Sequence, residues 1–149
     1  MRKKTVIRKI EIEDLGKIFN LGQKVFPNVK SVSLQWNKKN IIDIISENMD
    51  ISFIAINKKE IMGFLIGCIN KDDKLQNTVA KIIWFEITGE LKNPNIMIDL
   101  YNEFKREISS RNIEVIEAEI PDDNTDEIDF FSKIGFTETG KISKLKINL

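Results

Sequence analysis

Three apolar runs follow one another at the centre of the chain, Ile51 to Ile56, Ile61 to Ile69 and Val79 to Ile87, parted only by the polar stretches Asn57 to Glu60 and Asn70 to Asn77. Runs of this length between turn-forming residues are strands. Connections this short leave antiparallel pairing as the only choice, since a parallel return needs a dozen residues or more. The first pair is a hairpin with the reverse turn Asn57-Lys58-Lys59-Glu60, and the third strand completes a meander. Every other element must pack on this sheet.

Before the meander, Thr5 to Ile12 alternates, with Val6, Arg8, Ile10 and Ile12 pointing one way, and predicts a half-buried first strand. From Glu13 the period becomes helical through Leu15, Ile18, Phe19, Gly22 and Val25, with acids in the first turn and Pro27 as the stop. Trp36, Ile41, Ile44 and Ile45 predict a second helix reaching about Asn48. After the meander, Ile96, Leu100, Tyr101, Phe104 and Ile108 mark an amphipathic helix, with Pro94 suited to its first turn and Asn112 to the left-handed residue that ends it. Ile113 to Ile120 is a strand. Cap-forming Asp122 to Thr125 precede a short helix through Ile128, Phe130, Phe131 and Ile134. Thr137 to Leu149 supplies one or two last strands with a turn at Gly140. The order β-α-α-β-β-β-α-β-α-β predicts an α/β fold with a mixed, mostly antiparallel sheet. One parallel, right-handed crossover joins Val79–Ile87 to Ile113–Ile120, and helices lie on both faces.

The chain has 149 residues, 42% of them hydrophobic, which suits one domain spanning 1–149. Lys plus Arg and Asp plus Glu each number 23, so the excess of positive charge expected of a nucleic-acid binder is missing. There is one cysteine, Cys68, and no histidine. An internal disulfide, Cys/His zinc sites and a histidine base are therefore excluded, and no metal is expected. A general base must be a carboxylate, a lysine, Tyr101 or water. No apolar run has the length of a signal peptide or membrane span, which predicts a cytoplasmic protein without membrane association.

The element order, together with Asn124, the pair Phe130-Phe131 and Gly135-Phe136 after Ser132-Lys133-Ile134, resembles the GCN5-related N-acetyltransferase superfamily over essentially the whole chain. The opening Ile7-Arg8-Lys9 and Asp14-Leu15 agree with it. The resemblance implies transfer of an acetyl group from the cosubstrate acetyl-CoA to an amine by direct attack, and it leaves a homodimer open. Aligned on Arg111-Asn112-Ile113, the family's acyl-CoA motif falls on Lys92, Asn93, Pro94, Asn95, Ile96 and Met97. Both motif glycines are replaced. Lys92 keeps a positive charge, Asn95 is suited to a left-handed backbone, and Met97 puts a side chain where the family lets a helix N-terminus approach the pyrophosphate. Pro94 removes one N–H donor. Ile87 stands where the family bonds the pantetheine arm through its backbone, and Phe131 where it often has a tyrosine acid. The cofactor-binding set so implied is Ile87, Lys92, Asn93, Asn95, Ile96, Met97, Asn124 and Phe131.

Among the residues themselves, Glu86 near the end of the third meander strand is the candidate base, set against an ordinary solvent-facing strand residue. Trp84 shares its face. Glu117 and Glu119 lie on the following strand, where solvation is the plainer role. Tyr101 and Cys68 belong to apolar patterns and are expected in the core. Two alternatives remain open: a non-catalytic binding or assembly module on the same fold, and a generic α/β domain whose fourth and fifth strands are bonded to their ends.

Overall fold

A computed structural model describes residues 5–24, 37–72, 77–88, 94–120, 124–139 and 144–149. Its elements run β1 (Val6–Lys9), α1 (Leu15–Gln23), α2 (Lys38–Glu47), β2 (Phe53–Asn57), β3 (Glu60–Asp72), β4 (Asn77–Ile87), α3 (Pro94–Ser110), β5 (Val115–Glu119), α4 (Thr125–Lys133), β6 (Thr137–Glu138) and β7 (Lys144–Asn148), with single 3-10 turns at Ile12–Asp14 and Met49–Ile51. They form a seven-stranded sheet ordered β1-β2-β3-β4-β5-β7-β6. The β4–β5 pair is parallel and every other pair is antiparallel, as the meander and the long crossover require. Among the described residues no helix is long and apolar enough to cross a membrane.

Two cores sit on the two faces. On one, α3 and α4 cover Phe53, Leu65, Ala80, Ile82, Phe85, Ile87, Ile116, Ala118 and Leu145. On the other, α1 and α2 bring Ile18, Ile41 and Ile45 onto Ile54, Phe64, Ile66, Cys68, Ile83 and Trp84. The predicted stripe of α3 is the buried one, since Ile96, Leu100, Tyr101, Phe104 and Ile108 are all buried. Close packing of α3 depends on Gly67, where an added Cβ would meet the Phe104 ring at 2.4 Å.

Side-chain amides set the helix starts. Asn37 Oδ1 accepts the N–H of Asn40 at 2.9 Å, and Asn124 Oδ1 that of Glu127 at 3.3 Å. Asn112 ends α3 at φ 59°, the left-handed position expected of it. The first strand is shorter than the alternation predicts. The Asp14 carboxylate accepts the Glu11 N–H at 2.8 Å and two Arg8 guanidinium bonds at 2.8 and 2.9 Å, which turns the chain into a 3-10 helix. Ile12 is consequently 72% exposed. Val25, Pro27, Trp36 and Gly140 lie outside the described residues.

Candidate functional site

The β4–β5 pairing runs from Val79↔Val115 to Ile82↔Ala118 and stops there. Beyond Ala118, β5 stays paired with β7 through Glu119↔Lys144. Beyond Ile82, β4 stays paired with β3 through Gly63↔Ile87. Two strands anchored to different neighbours have parted, and the alternative in which they are bonded to their ends is set aside. The Thr88 N–H bonds back to the Met62 carbonyl at 2.9 Å. By the alternation of an extended strand, Phe85 and Ile87 therefore turn their N–H and C=O toward the open side.

A bulge decides which side chains face which way here. Ile66 pairs with Trp84 and Gly67 with Ile82, so Ile83 is an extra residue on β4. Ile83 and Trp84 both enter the core under α1 and α2, whereas Phe85 and Ile87 enter the core under α3 and α4. Glu86, paired with Phe64, thus shares the α1/α2 face with Trp84. It is only 5% exposed, which rules out the ordinary solvent-facing reading. Trp84 is itself sealed in the core, not lining an open pocket.

On the same face, Glu119 stands where the strands part. It is buried, and Lys81 on β4 reaches it at 3.6 Å. This corrects the expectation of plain solvation, which holds for the half-exposed Glu117. The pair was not legible because Lys81 and Glu119 come from strands whose register no local pattern reveals. Cys68, facing Lys81 across β3 and β4, is buried, and burial pushes its thiol up to about 11. It is an inert core residue.

Across the sheet, Phe131 on α4 is fully buried. Its ring meets Phe136 at 4.9 Å, Phe130 at 5.2 Å, Phe85 at 5.5 Å and Tyr101 at 6.2 Å. Tyr101 is 3% exposed, its hydroxyl makes no hydrogen bond with a described residue, and burial pushes the phenol up to about 12. Of the residues aligned with the acyl-CoA motif, Lys92 and Asn93 lie outside the described residues. Asn95 is exposed but helical, not left-handed, because α3 already begins at Pro94. Ile96 and Met97 are 6% and 5% exposed and pack with Ile87 and Leu100. Met97 therefore points into the core and not along an approach to the helix end. Helical spacing points the same way, because position 97 falls one turn before Leu100 and Tyr101 on the same buried stripe, and it is the motif alignment that the structure corrects.

Beside the end of β4 on the α1 side lies a cavity of about 430 Å³, lined by Lys17, Asn20 and Leu21 of α1, Lys59, Glu60 and Ile61 at the β2–β3 turn, and Thr88. The Thr88 hydroxyl donates to the Ile61 carbonyl at 3.1 Å, tying the two strand ends together. This cavity went unforeseen, since its lysines read as ordinary turn and helix-surface charge.

No family model matches the chain, and no curated protein matches it in sequence. Solved structures do match in shape. Arabidopsis thaliana Naa50, in complex with the bisubstrate analogue CoA-Ac-MVNAL, superposes with a TM-score of 0.77 at 16% identity, covering 97% of this chain and 99% of that one. Ard1 from Thermoplasma volcanium gives 0.76 at 18% identity over 97% of each chain. Salmonella typhimurium yncA, with its cofactor acetyl-CoA, gives 0.75 at 11% identity over 97% of this chain and 94% of that one.

Proposed function

From a chain that has the fold of the GCN5-related N-acetyltransferases, we propose an enzyme that transfers the acetyl group of acetyl-CoA to an amine. The observation that carries the reading is the parting of β4 from β5 after Ile82, with a buried carboxylate, Glu86, on the strand that is left open. An extended polar chain can be held only where backbone groups are free to bond it, and Phe85 and Ile87 turn such groups to the opening. The pantetheine arm of acetyl-CoA is a chain of this kind. The structural neighbours solved with CoA-Ac-MVNAL and acetyl-CoA support the choice.

Acetyl-CoA supplies an acyl group already activated as a thioester. The amine nitrogen forms a bond to the carbonyl carbon and the carbon–sulfur bond breaks. Glu86 takes the proton lost by nitrogen, directly or through one water. An N–H on the open edge of β4 is placed to stabilise the oxygen that gains charge. The departing thiolate takes its proton from water, because Phe131 has none to give and the Tyr101 phenol is sealed in the core. Asn124 positions α4 by capping it. Lys92 and Asn93, with the N-terminus of α3, are assigned to the pyrophosphate, where an anion is favoured by the helix dipole.

Isothermal titration with acetyl-CoA and with CoA tests the cosubstrate. Absence of both heat and thermal shift at millimolar ligand would remove it. Turnover with a panel of amines tests the reaction. The missing hydroxyl at Phe131 favours a second reading, a module that binds CoA without catalysis, and CoA binding with no turnover on any amine would establish it.

A further inference from the structure

The whole chain carries equal numbers of basic and acidic residues, 23 of each, yet the cavity beside β4 is basic. Lys17 and Lys59 line it against the single carboxylate of Glu60. Lys24 continues the Lys17 stripe two turns further along α1, and Lys58 neighbours Lys59 in the turn. Lys17 acts on the Asp14 carboxylate through space, but that carboxylate is already held by two Arg8 hydrogen bonds. Lys58 and Lys59 hold φ of 50° and 71°, a conformation that Asn and Gly adopt at far lower cost. Lysine is not what such a turn selects for its own stability.

The cavity also lies at a defined distance from the proposed chemistry. Thr88, which lines it, follows Glu86 by two residues, one past the end of β4 and still bonded to β3 through Met62, a rise of about 7 Å along the strand direction. An extended peptide covers that span in about two residues. We propose that this cavity receives the acidic side chain at the second or third position of a peptide whose terminal amine is presented to Glu86. The identity of the amine as acceptor rests on the acetyltransferase reading, whereas the recognition of acidic peptide by Lys17 and Lys59 does not.

The test uses the full chain with CoA present and three peptides labelled with rhodamine at the C-terminus, beginning Ser-Glu-Glu, Ser-Gln-Gln and Ser-Lys-Lys. Fluorescence anisotropy reads binding, and acetylation is followed separately. The acidic peptide is expected to bind about tenfold or more tighter than the neutral one, with the gap closing between about 50 and 300 mM salt as screening increases. The double variant Lys17→Glu, Lys59→Glu should erase or invert the order, with its folding checked by melting. Single Lys17→Gln and Lys59→Gln variants serve if the double variant is unfolded, each narrowing the gap. Equal binding of the three peptides, or a preference untouched by these variants, overturns the proposal. If neutral and acidic peptides are acetylated alike, the cavity assignment falls and the enzyme reading stands. If acidic peptide binds selectively but is not acetylated, the cavity assignment stands and the enzyme reading falls.

Discussion

Replacing Tyr101 by Phe should stabilise the protein. Tyr101 projects from α3 into the aromatic cluster under the sheet, with Phe131 at 6.2 Å and Phe136 at 5.8 Å, and these ring contacts survive the substitution. What is removed is a hydroxyl that is buried without a described partner. An unpaired hydroxyl in an apolar site costs ~1–3 kcal/mol in proteins. The void left by one oxygen, on the order of 10–15 Å³, costs about 0.3 kcal/mol at ~24 cal/mol per Å³. The balance favours Phe by about 0.7–2.7 kcal/mol, which for a chain of this length raises Tm by roughly 1–11 °C. Urea melts of the two proteins measure it directly, provided the slopes agree. The pH dependence gives an independent check. Burial raises the phenol to about 12 from its ordinary value of 10.0, so the stability linked to keeping it neutral is fully present below pH 10. It is lost as pH rises through the folded value. The difference between wild type and variant should be flat below pH 10 and widen in favour of Phe between 10 and 12. A variant less stable than wild type by 1 kcal/mol or more, with no change on the alkaline limb, would refute the reasoning and show that the hydroxyl has a partner.

Gly67→Ala should cost ~1–3 kcal/mol, because the new methyl would sit 2.4 Å from a Phe104 ring that is itself fully buried and cannot retreat; chemical denaturation measures it, and a neutral result would mean that α3 can shift. Asp14→Asn should weaken the fold at neutral pH and flatten the acid limb: the Arg8 guanidinium holds the Asp14 carboxyl below its ordinary value of 3.8. The stability it contributes is present above that value and lost as pH falls through the lower folded one, so melts at pH 7 and pH 2 should differ less in the variant. Glu86→Gln should lower the acetylation rate and move the pH optimum upward, since the amine must then lose its proton unaided; an unchanged pH–rate profile would shift the role of base to Glu119 or to a held water. Phe131→Tyr should leave the rate unchanged or raise it in a steady-state assay, once melting shows that the new hydroxyl is tolerated.

The meander, the crossover and the helical stripes were legible because each is written in a local period, and Asn112 and Asn124 because caps are local too. The face on which Glu86 lies was legible only relative to Trp84, two residues away. The apolar run Ile82-Ile83-Trp84-Phe85 hides the bulge, since four successive large apolar residues satisfy either face. The parting of the strands leaves no mark in β5, where Ala118 and Glu119 are separated only by what each meets on β4 and β7. The placement of β7 between β5 and β6 is a matter of long-range pairing, and a two-residue strand such as β6 carries no period at all. At Met97 the family alignment and the helical stripe made competing demands, and the side chain followed the stripe.

The extra residue at Ile83 gives β4 a parity. Upstream of it even-numbered side chains such as Ala80 and Ile82 face α3, and downstream it is the odd-numbered Phe85 and Ile87 that do. A lineage that lost Ile83 would return β4 to strict alternation, with Phe85 and Ile87 still toward α3 and the Glu86 carboxylate still toward α1 and α2, because the bulge already places two neighbours on one face. Length variation in this stretch is therefore asymmetric: one residue fewer removes the bulge and keeps both flanking registers, whereas one residue more needs a second irregularity to keep Glu86 on its face. A mutational scan of single-residue deletions should find Ile83 among the more forgiving positions of β4, although nothing in its side chain marks it as special.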